Sequence, residues 1–302
     1  MSLPEPTPLP LSLAPQIASY SLQVPGRPEI EISQAAHRIN LVNHWGISAG
    51  SRVLELGCGQ GNATAVLAEA VGESGHVDAV DPAPPDYGAP FTLSQAQSHL
   101  SSGPVGKRIT WHRGTPQDFL QDSQGSSSSS TPVWDVAVLT HCIWYFASEK
   151  ELMEILTSLR GRAKRVCIAE YALHATQKSA QPHVLAVLAR GVLESCKDDS
   201  LENVRSPMSP SAIKKIANKS DWECAQETSV VPELGLLDGS WEVWSITSDS
   251  FLGEVEKAVS NERLKTVILS ARDAVVSAVG ALEGGKVGTM DVWVATFSPL
   301  AS

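Results

Sequence analysis

Clusters of basic residues are missing from this chain of 302 residues, in which 23 Lys and Arg stand against 33 Asp and Glu for a formal net charge of −10. Binding to a nucleic-acid backbone rests on clustered cations, so no nucleic-acid partner is expected. Apolar runs of the roughly 20 residues that span a bilayer are also missing. The N-terminus lacks the basic start and apolar core of a secretory signal. These absences point to a soluble, cytoplasmic protein with no membrane partner. Cysteine is scarce and scattered: Cys58, Cys142, Cys167, Cys196 and Cys224 show no C-x-x-C spacing. They read as reduced thiols, not as a disulfide frame or a zinc site. The histidines have neither H-x-x-x-H nor H-E-x-x-H spacing, and no acidic pair of the magnesium type is evident, so no metal is expected. Nothing in the sequence sets an oligomeric state.

What is present is an ordinary globular composition, 42% hydrophobic and 19% charged, long enough for one large α/β domain or a domain with a cap. The chain is organised around residues 52–81. Val53, Leu54 and Leu56 form a short apolar run bounded by glycine, as expected of a strand buried on both faces. Gly57, Gly59 and Gly61 follow at every second position, where glycine permits positive φ and close approach of backbone to a ligand. Asn62 is the expected cap of a helix carrying Ala65, Val66, Leu67, Ala68 and Val71. A second strand, 76–80, then ends at Asp81. A glycine turn at a helix start with a carboxylate about 20 residues further on is the geometry of a nucleoside site in a doubly wound sheet.

The spacing Glu55-x-Gly57-x-Gly59-x-Gly61 is G-x-G-x-G, not the dinucleotide pattern G-x-G-x-x-G. It resembles motif I of the class I S-adenosylmethionine-dependent methyltransferases. The resemblance extends over residues 50–175 and implies a doubly wound, mostly parallel seven-stranded sheet of the Rossmann-like kind. It implies S-adenosyl-L-methionine as cofactor, held by Glu55, Gly57, Cys58, Gly59, Gly61, Asp81, Pro82 and Thr140. The family's G-D-A turn falls on residues 114–116, where Thr115 replaces the acidic residue. Asp118 either faces the adenine instead or is simply a helix N-terminal residue favoured by the macrodipole. The segment WDVAVLTHCIWYF, 134–146, resembles motif IV, whose strand ends beside the reacting methyl group.

Open α/β sheets bind ligands at the carboxyl edge of their strands. That rule gathers His141, Trp144, Tyr145, Glu170 and Tyr171, with His174 and His183 beyond. His141 is the candidate catalytic base, because its free pKa lies near working pH; a buried structural histidine is the competing reading. Trp144, Tyr145, Glu170, Tyr171 and Trp241 are candidate acceptor contacts, as is Tyr20 from the N-terminal arm; for the aromatics the competing reading is a core or anchoring side chain. A helix is expected over 29–45 with His37 and His44 on its polar or boundary side, and residues 1–15, rich in proline, should be extended or disordered. The serine run 126–130 reads as a surface loop. A closing strand near 290–297 follows a long interval, 232–285, read as a helical cap inserted before the last strand. The whole is one domain, 1–302, with an arm over 1–28. The activity implied is methyl transfer to O or N of a small organic molecule. A repurposed enzyme of the same fold, or a binding protein that keeps the nucleoside pocket, is the alternative.

Overall fold

The structure, a computed structural model, describes residues 3–122, 134–200 and 202–300. The elements run α1 (Ala14–Ala18), α2 (Pro28–Trp45), β1 (Arg52–Leu56), α3 (Asn62–Val71), β2 (His76–Asp81), α4 (Leu93–Ser102), β3 (Ile109–Arg113) and α5 (Pro116–Asp122). They continue with β4 (Val136–Thr140), α6 (Glu149–Leu159), β5 (Val166–Tyr171), α7 (Gln181–Glu194), α8 (Pro210–Lys219) and β6 (Trp222–Val230). Three helices, α9 (Asp238–Thr247), α10 (Asp249–Ala258) and α11 (Glu262–Gly280), precede β7 (Val292–Pro299). The seven strands form one sheet of order β3-β2-β1-β4-β5-β7-β6, with β7 antiparallel to both neighbours.

Alternation along the central strands builds two apolar layers. Val53, Val77, Val136 and Val138 face Ile39, Leu41 and Val42 of α2 and Val66 and Leu67 of α3. Leu54, Leu56, Val80, Leu139 and Ile168 face Leu152, Ile155 and Leu156 of α6 and Ile213 and Ile216 of α8. Strands covered on both faces need continuous apolar runs, which explains the lack of polar alternation in β1 and β4. A third layer lies off the sheet, where Ala186, Ala189 and Leu193 of α7 pack on Val243, Ile246, Phe251, Val255, Ile268 and Val275 of α9, α10 and α11. Arg190 of α7, only 2% exposed, ties that layer together by donating to Glu254 at 2.7 Å and to Ser245 at 2.7 Å. A buried guanidinium is tolerable only with such partners.

Three local expectations change. The N-terminal segment is not wholly extended: a 3₁₀ turn over Leu11–Leu13 leads into α1, whose Ala14, Ile17 and Ala18 are buried. Asn43 anchors it by bonding both backbone groups of Leu9, at 2.8 and 2.9 Å. Asn62 does not cap α3; Gly61 (φ +97°) takes the cap position, and the Asn62 amide donates to Glu31 instead. His37 is buried and faces the sheet edge, whereas His44 is exposed as expected. The interval before β7 holds three helices, of which α10 and α11 occupy the stretch 249–280. The serine run 126–130 lies outside the described residues. No helix among the described residues is long and apolar enough to cross a membrane.

Candidate active site

The turn after β1 is tied to β2 by backbone bonds from Gly57 and Cys58 to the Val80 carbonyl, at 2.8 and 3.1 Å. Asp81, at the end of β2, completes the tie: its Oδ2 accepts from Gly59 N–H at 2.7 Å and its Oδ1 from Ala83 N–H at 2.9 Å. Each carboxylate oxygen keeps a second lone pair, so both can still accept a ribose hydroxyl. The three glycines do different work. A Cβ on Gly57 would meet Cys142 and one on Gly61 would meet Leu100 and Trp111, but one on Gly59 would meet nothing within 4 Å. The Gly59 face is therefore an open cradle of backbone at the start of a helix, as a nucleoside cofactor requires.

Glu55 sits beneath this turn. It is 1% exposed, and its Oε2 accepts from Thr64 Oγ1 at 2.6 Å across the turn, so it braces the loop from below. Burial pushes its carboxyl up to about 8, against the pull of the Thr64 bond. Cys58 is buried, and burial with the neighbouring Glu55 and Asp81 carboxyls drives its thiol well up, so it stays uncharged. Pro82 is exposed on the loop beyond Asp81. Thr115 starts α5: its Oγ1 accepts from Asp118 N–H at 3.1 Å and donates to Asp118 Oδ2 at 2.7 Å. Asp118 thus occupies the helix N-terminal role and presents one further oxygen, Oδ1, to its exposed surroundings.

The second half of the site lies at the ends of β4 and β5. His141 follows Thr140 with φ +50°, a left-handed conformation rare for a side chain of this size. Its ring stacks on Tyr171 at 4.4 Å, and its Nε2 lies 3.1 Å from Nε2 of His37. His141 Nδ1 is 3.6 Å from Glu170 Oε1. Burial, aided by Arg38, draws the imidazole down to about 3. The free pKa near working pH therefore does not survive folding, and His141 is neutral in the folded protein. Glu170, 1% exposed, accepts from Ile143 N–H and Tyr171 N–H, each at 3.0 Å; burial still lifts it to about 7.

A network absent from the sequence reading joins this cluster to α2 and α9. Asp238 accepts from Tyr171 Oη at 2.8 Å and from Gln34 Nε2 at 2.9 Å, while Arg38 bonds Gln34 in turn. Burial alone would lift the Asp238 carboxyl, but Arg38 and these hydrogen bonds hold it below the usual carboxylate range. Gln34, His37 and Arg38 share one face of α2 at i, i+3, i+4 spacing, the only hint the sequence carried of this contribution.

Other candidates are placed differently. Tyr20 is 6% exposed in the core, and its hydroxyl accepts from Gln16 Nε2 at 2.7 Å, so it serves as an anchor and not as an open contact. Trp144 is 2% exposed with its indole N–H on Met208 O at 3.0 Å; it packs on Tyr171 from behind. Glu170 is committed to the backbone N–H groups of Ile143 and Tyr171 and is not an open contact. His174 is exposed and bonded to Asp291, outside the cluster. Tyr145, 42% exposed, and Trp241, 50% exposed and one turn after Asp238 on α9, remain open for contact. Among the described residues no group of His, Cys, Asp and Glu could hold a metal ion.

A family model described as protein-L-isoaspartate (D-aspartate) O-methyltransferase matches residues 20–85. Two methyltransferases of Diaporthe leptostromiformis, phomM' and phomM, are each 28% identical to this chain over 80% of its length and 71% of theirs. The crystal structure of a cyclopropane-fatty-acyl-phospholipid synthase-like protein from Lactobacillus casei aligns at a TM-score of 0.81 and 27% identity, covering 95% of this chain and 99% of that one. Relatedness across most of the chain and agreement in fold converge with the glycine motif and its carboxylate: the chain belongs to the class I S-adenosylmethionine-dependent methyltransferases.

Proposed function

We propose that the chain carries the methyl group of S-adenosylmethionine to an oxygen or nitrogen of a small organic molecule by in-line displacement. The observation that carries this reading is the placement of two halves side by side. The open turn and Asp81 stand at the ends of β1 and β2, and the His141–Tyr171 pair stands at the ends of β4 and β5. Gly59 and its neighbours would cradle the methionine end, Asp81 the ribose and Thr140 the amino-acid group, with Glu55 bracing the turn from beneath. The adenine would lie towards Thr115 and Asp118. Bound S-adenosylmethionine supplies a methyl made electrophilic by its sulfonium charge, so the protein has chiefly to align the nucleophile and exclude water.

His141 faces the acceptor. A neutral imidazole accepts a hydrogen bond from an O–H or N–H nucleophile and takes its proton as charge develops. A proton on Nδ1 would lie beside Glu170, whose carboxyl near 7 can share it. Tyr145, Tyr171 and Trp241 suit a flat or apolar acceptor. The inserted helices act as a cap, since α9 brings Asp238 to Tyr171 and leaves Trp241 beside that junction. The arm over 1–28 acts as a structural brace.

The test is calorimetric titration with S-adenosylmethionine and S-adenosylhomocysteine, then an acceptor screen read by mass spectrometry for the gain of one methyl. Asp81→Asn should weaken either ligand by about 10- to 100-fold, the value of hydrogen bonds to a charged group. Unchanged affinity would remove Asp81 from the site. Ligand binding with no methylated product across the screen would favour a non-catalytic binder. Wild-type turnover by His141→Ala would end its role in proton transfer.

A further inference from the structure

His183 lies in the first turn of α7 and is 0% exposed. Its Nδ1 is held at 3.1 Å by Met290 N–H, just before β7. A backbone amide can only donate, so Nδ1 must present its lone pair. Burial draws the ring down to about 4, so it is neutral and has one proton. That proton therefore sits on Nε2, on the side of the ring away from Met290. Nε2 is buried and has no hydrogen-bond partner among the described residues. A buried donor without an acceptor costs about 1–3 kcal/mol, so its persistence calls for a reason.

Its position supplies one. The ring meets Tyr171 edge-on, at 5.2 Å and 74°. Tyr171 in turn stacks on His141. Thr140 Oγ1 and His141 Nδ1 are likewise buried without hydrogen-bond partners among the described residues. Three unmatched polar atoms thus belong to the end of β4 and the start of α7, Thr140 towards the cofactor and the two histidines around Tyr171 at the end of β5.

We infer that His183 is a specificity-determining residue whose Nε2–H donates to a neutral carbonyl oxygen of the methyl acceptor, such as that of an amide, ester or ketone. The carbonyl is neutral because the ring carries no countercharge and lies within electrostatic reach of the ionised Asp238, which repels an anionic oxygen. The inference rests on the methyl-transfer reading and assigns part of the acceptor within it.

The probes are benzamide, benzoate and benzylamine, flat molecules of similar size that present a neutral carbonyl, a carboxylate and an ammonium. Each is titrated into the full chain saturated with S-adenosylhomocysteine, followed by imidazole ¹⁵N–¹H signals and calorimetry. Benzamide is expected to shift the His183 Nε2 signal and to bind. His183→Asn keeps an oxygen for Met290 N–H but loses the reach of Nε2; it should weaken benzamide about tenfold, the value of one hydrogen bond. His183→Gln, which restores a donor at that reach, should recover the binding. Neither variant should alter affinity for S-adenosylhomocysteine, and an unchanged unfolding midpoint for His183→Asn above pH 7, where the ring is neutral in both folded and unfolded chains, separates loss of the donor from loss of the fold. An unmoved His183 signal, equal benzamide affinity in His183→Asn, or a preference for benzoate or benzylamine would overturn the assignment. Failure to bind S-adenosylhomocysteine appears before any probe is added and counts against the methyl-transfer reading instead.

Discussion

The glycine turn offers a test in which stability and binding should part company. Gly57, Gly59 and Gly61 have φ of +74°, +52° and +97°. An alanine at each costs roughly 1–2 kcal/mol by backbone conformation alone. Their surroundings then separate them. A Cβ at 57 would lie 2.6 Å from Cys142 Cβ, an atom fixed to the backbone that cannot swing away. At 61 the nearest atom, also at 2.6 Å, is the tip of Leu100, which can move; at 59 there is open space. Overpacking adds about 1–3 kcal/mol where the neighbour cannot yield. Gly57→Ala should therefore lose about 2–5 kcal/mol, Gly61→Ala somewhat less, and Gly59→Ala about 1–2 kcal/mol. Affinity for S-adenosylhomocysteine should single out the mildest of these: Gly59→Ala places its methyl on the open face, and binding should fall by about tenfold or more while the protein stays folded. Urea denaturation gives the first series and calorimetry the second. Adding Cys142→Gly to Gly57→Ala should return about 1–3 kcal/mol, the coupling of two atoms in contact. Equal stabilities for Gly57→Ala and Gly59→Ala, or wild-type affinity in Gly59→Ala, would refute the assignment of packing to one glycine and ligand to the other.

Further outcomes follow from the buried charges. Glu55, raised to about 8, binds a proton in the folded state that the unfolded chain has released, so stability is lost as pH rises from about 4.5 towards 8. Glu55→Gln removes that loss, and its advantage in thermal midpoint should grow from pH 5 to pH 8; parallel profiles would show that Glu55 is not protonated when folded. His183, lowered to about 4, acts in the opposite sense: the unfolded chain takes up a proton first, and stability is lost as pH falls below about 6.5. His183→Asn should flatten that acid limb in denaturation midpoints between pH 6.5 and 4. Asp238→Ala leaves Tyr171 and Gln34 without their shared acceptor and should cost about 1.5–3 kcal/mol in urea unfolding, a loss that Asp238→Asn, which keeps one acceptor oxygen, should partly spare.

The cofactor half of the site was legible in the sequence because its parts are local. A strand, three glycines and a carboxylate at the next strand end lie within 30 consecutive positions or so, and backbone geometry sets their relation. The same locality made the buried strands and the closing strand readable as apolar runs. Local chemistry was still misjudged where two neighbours compete: Gly61, free to adopt positive φ, took the cap position from Asn62, whose amide found Glu31 on α2. The acceptor half was only half visible. Strand ends named His141 and Tyr171, but nothing in the pattern could say that Asp238, over sixty residues further on, would take the Tyr171 hydroxyl, or that His37 would meet His141. Burial is a tertiary property, and it lowered the pKa of His141 so that the ring is neutral, placed Tyr20 and Trp144 in the core, and fixed the tautomer of His183 through a single backbone amide. The sequence by itself determined the strands, the turn and the nucleoside carboxylate, because those depend on neighbours along the chain. The protonation states and the partners of the acceptor site were decided only when α2, α7 and α9 closed on the ends of β4 and β5, because desolvation and long-range contact exist only in the folded protein.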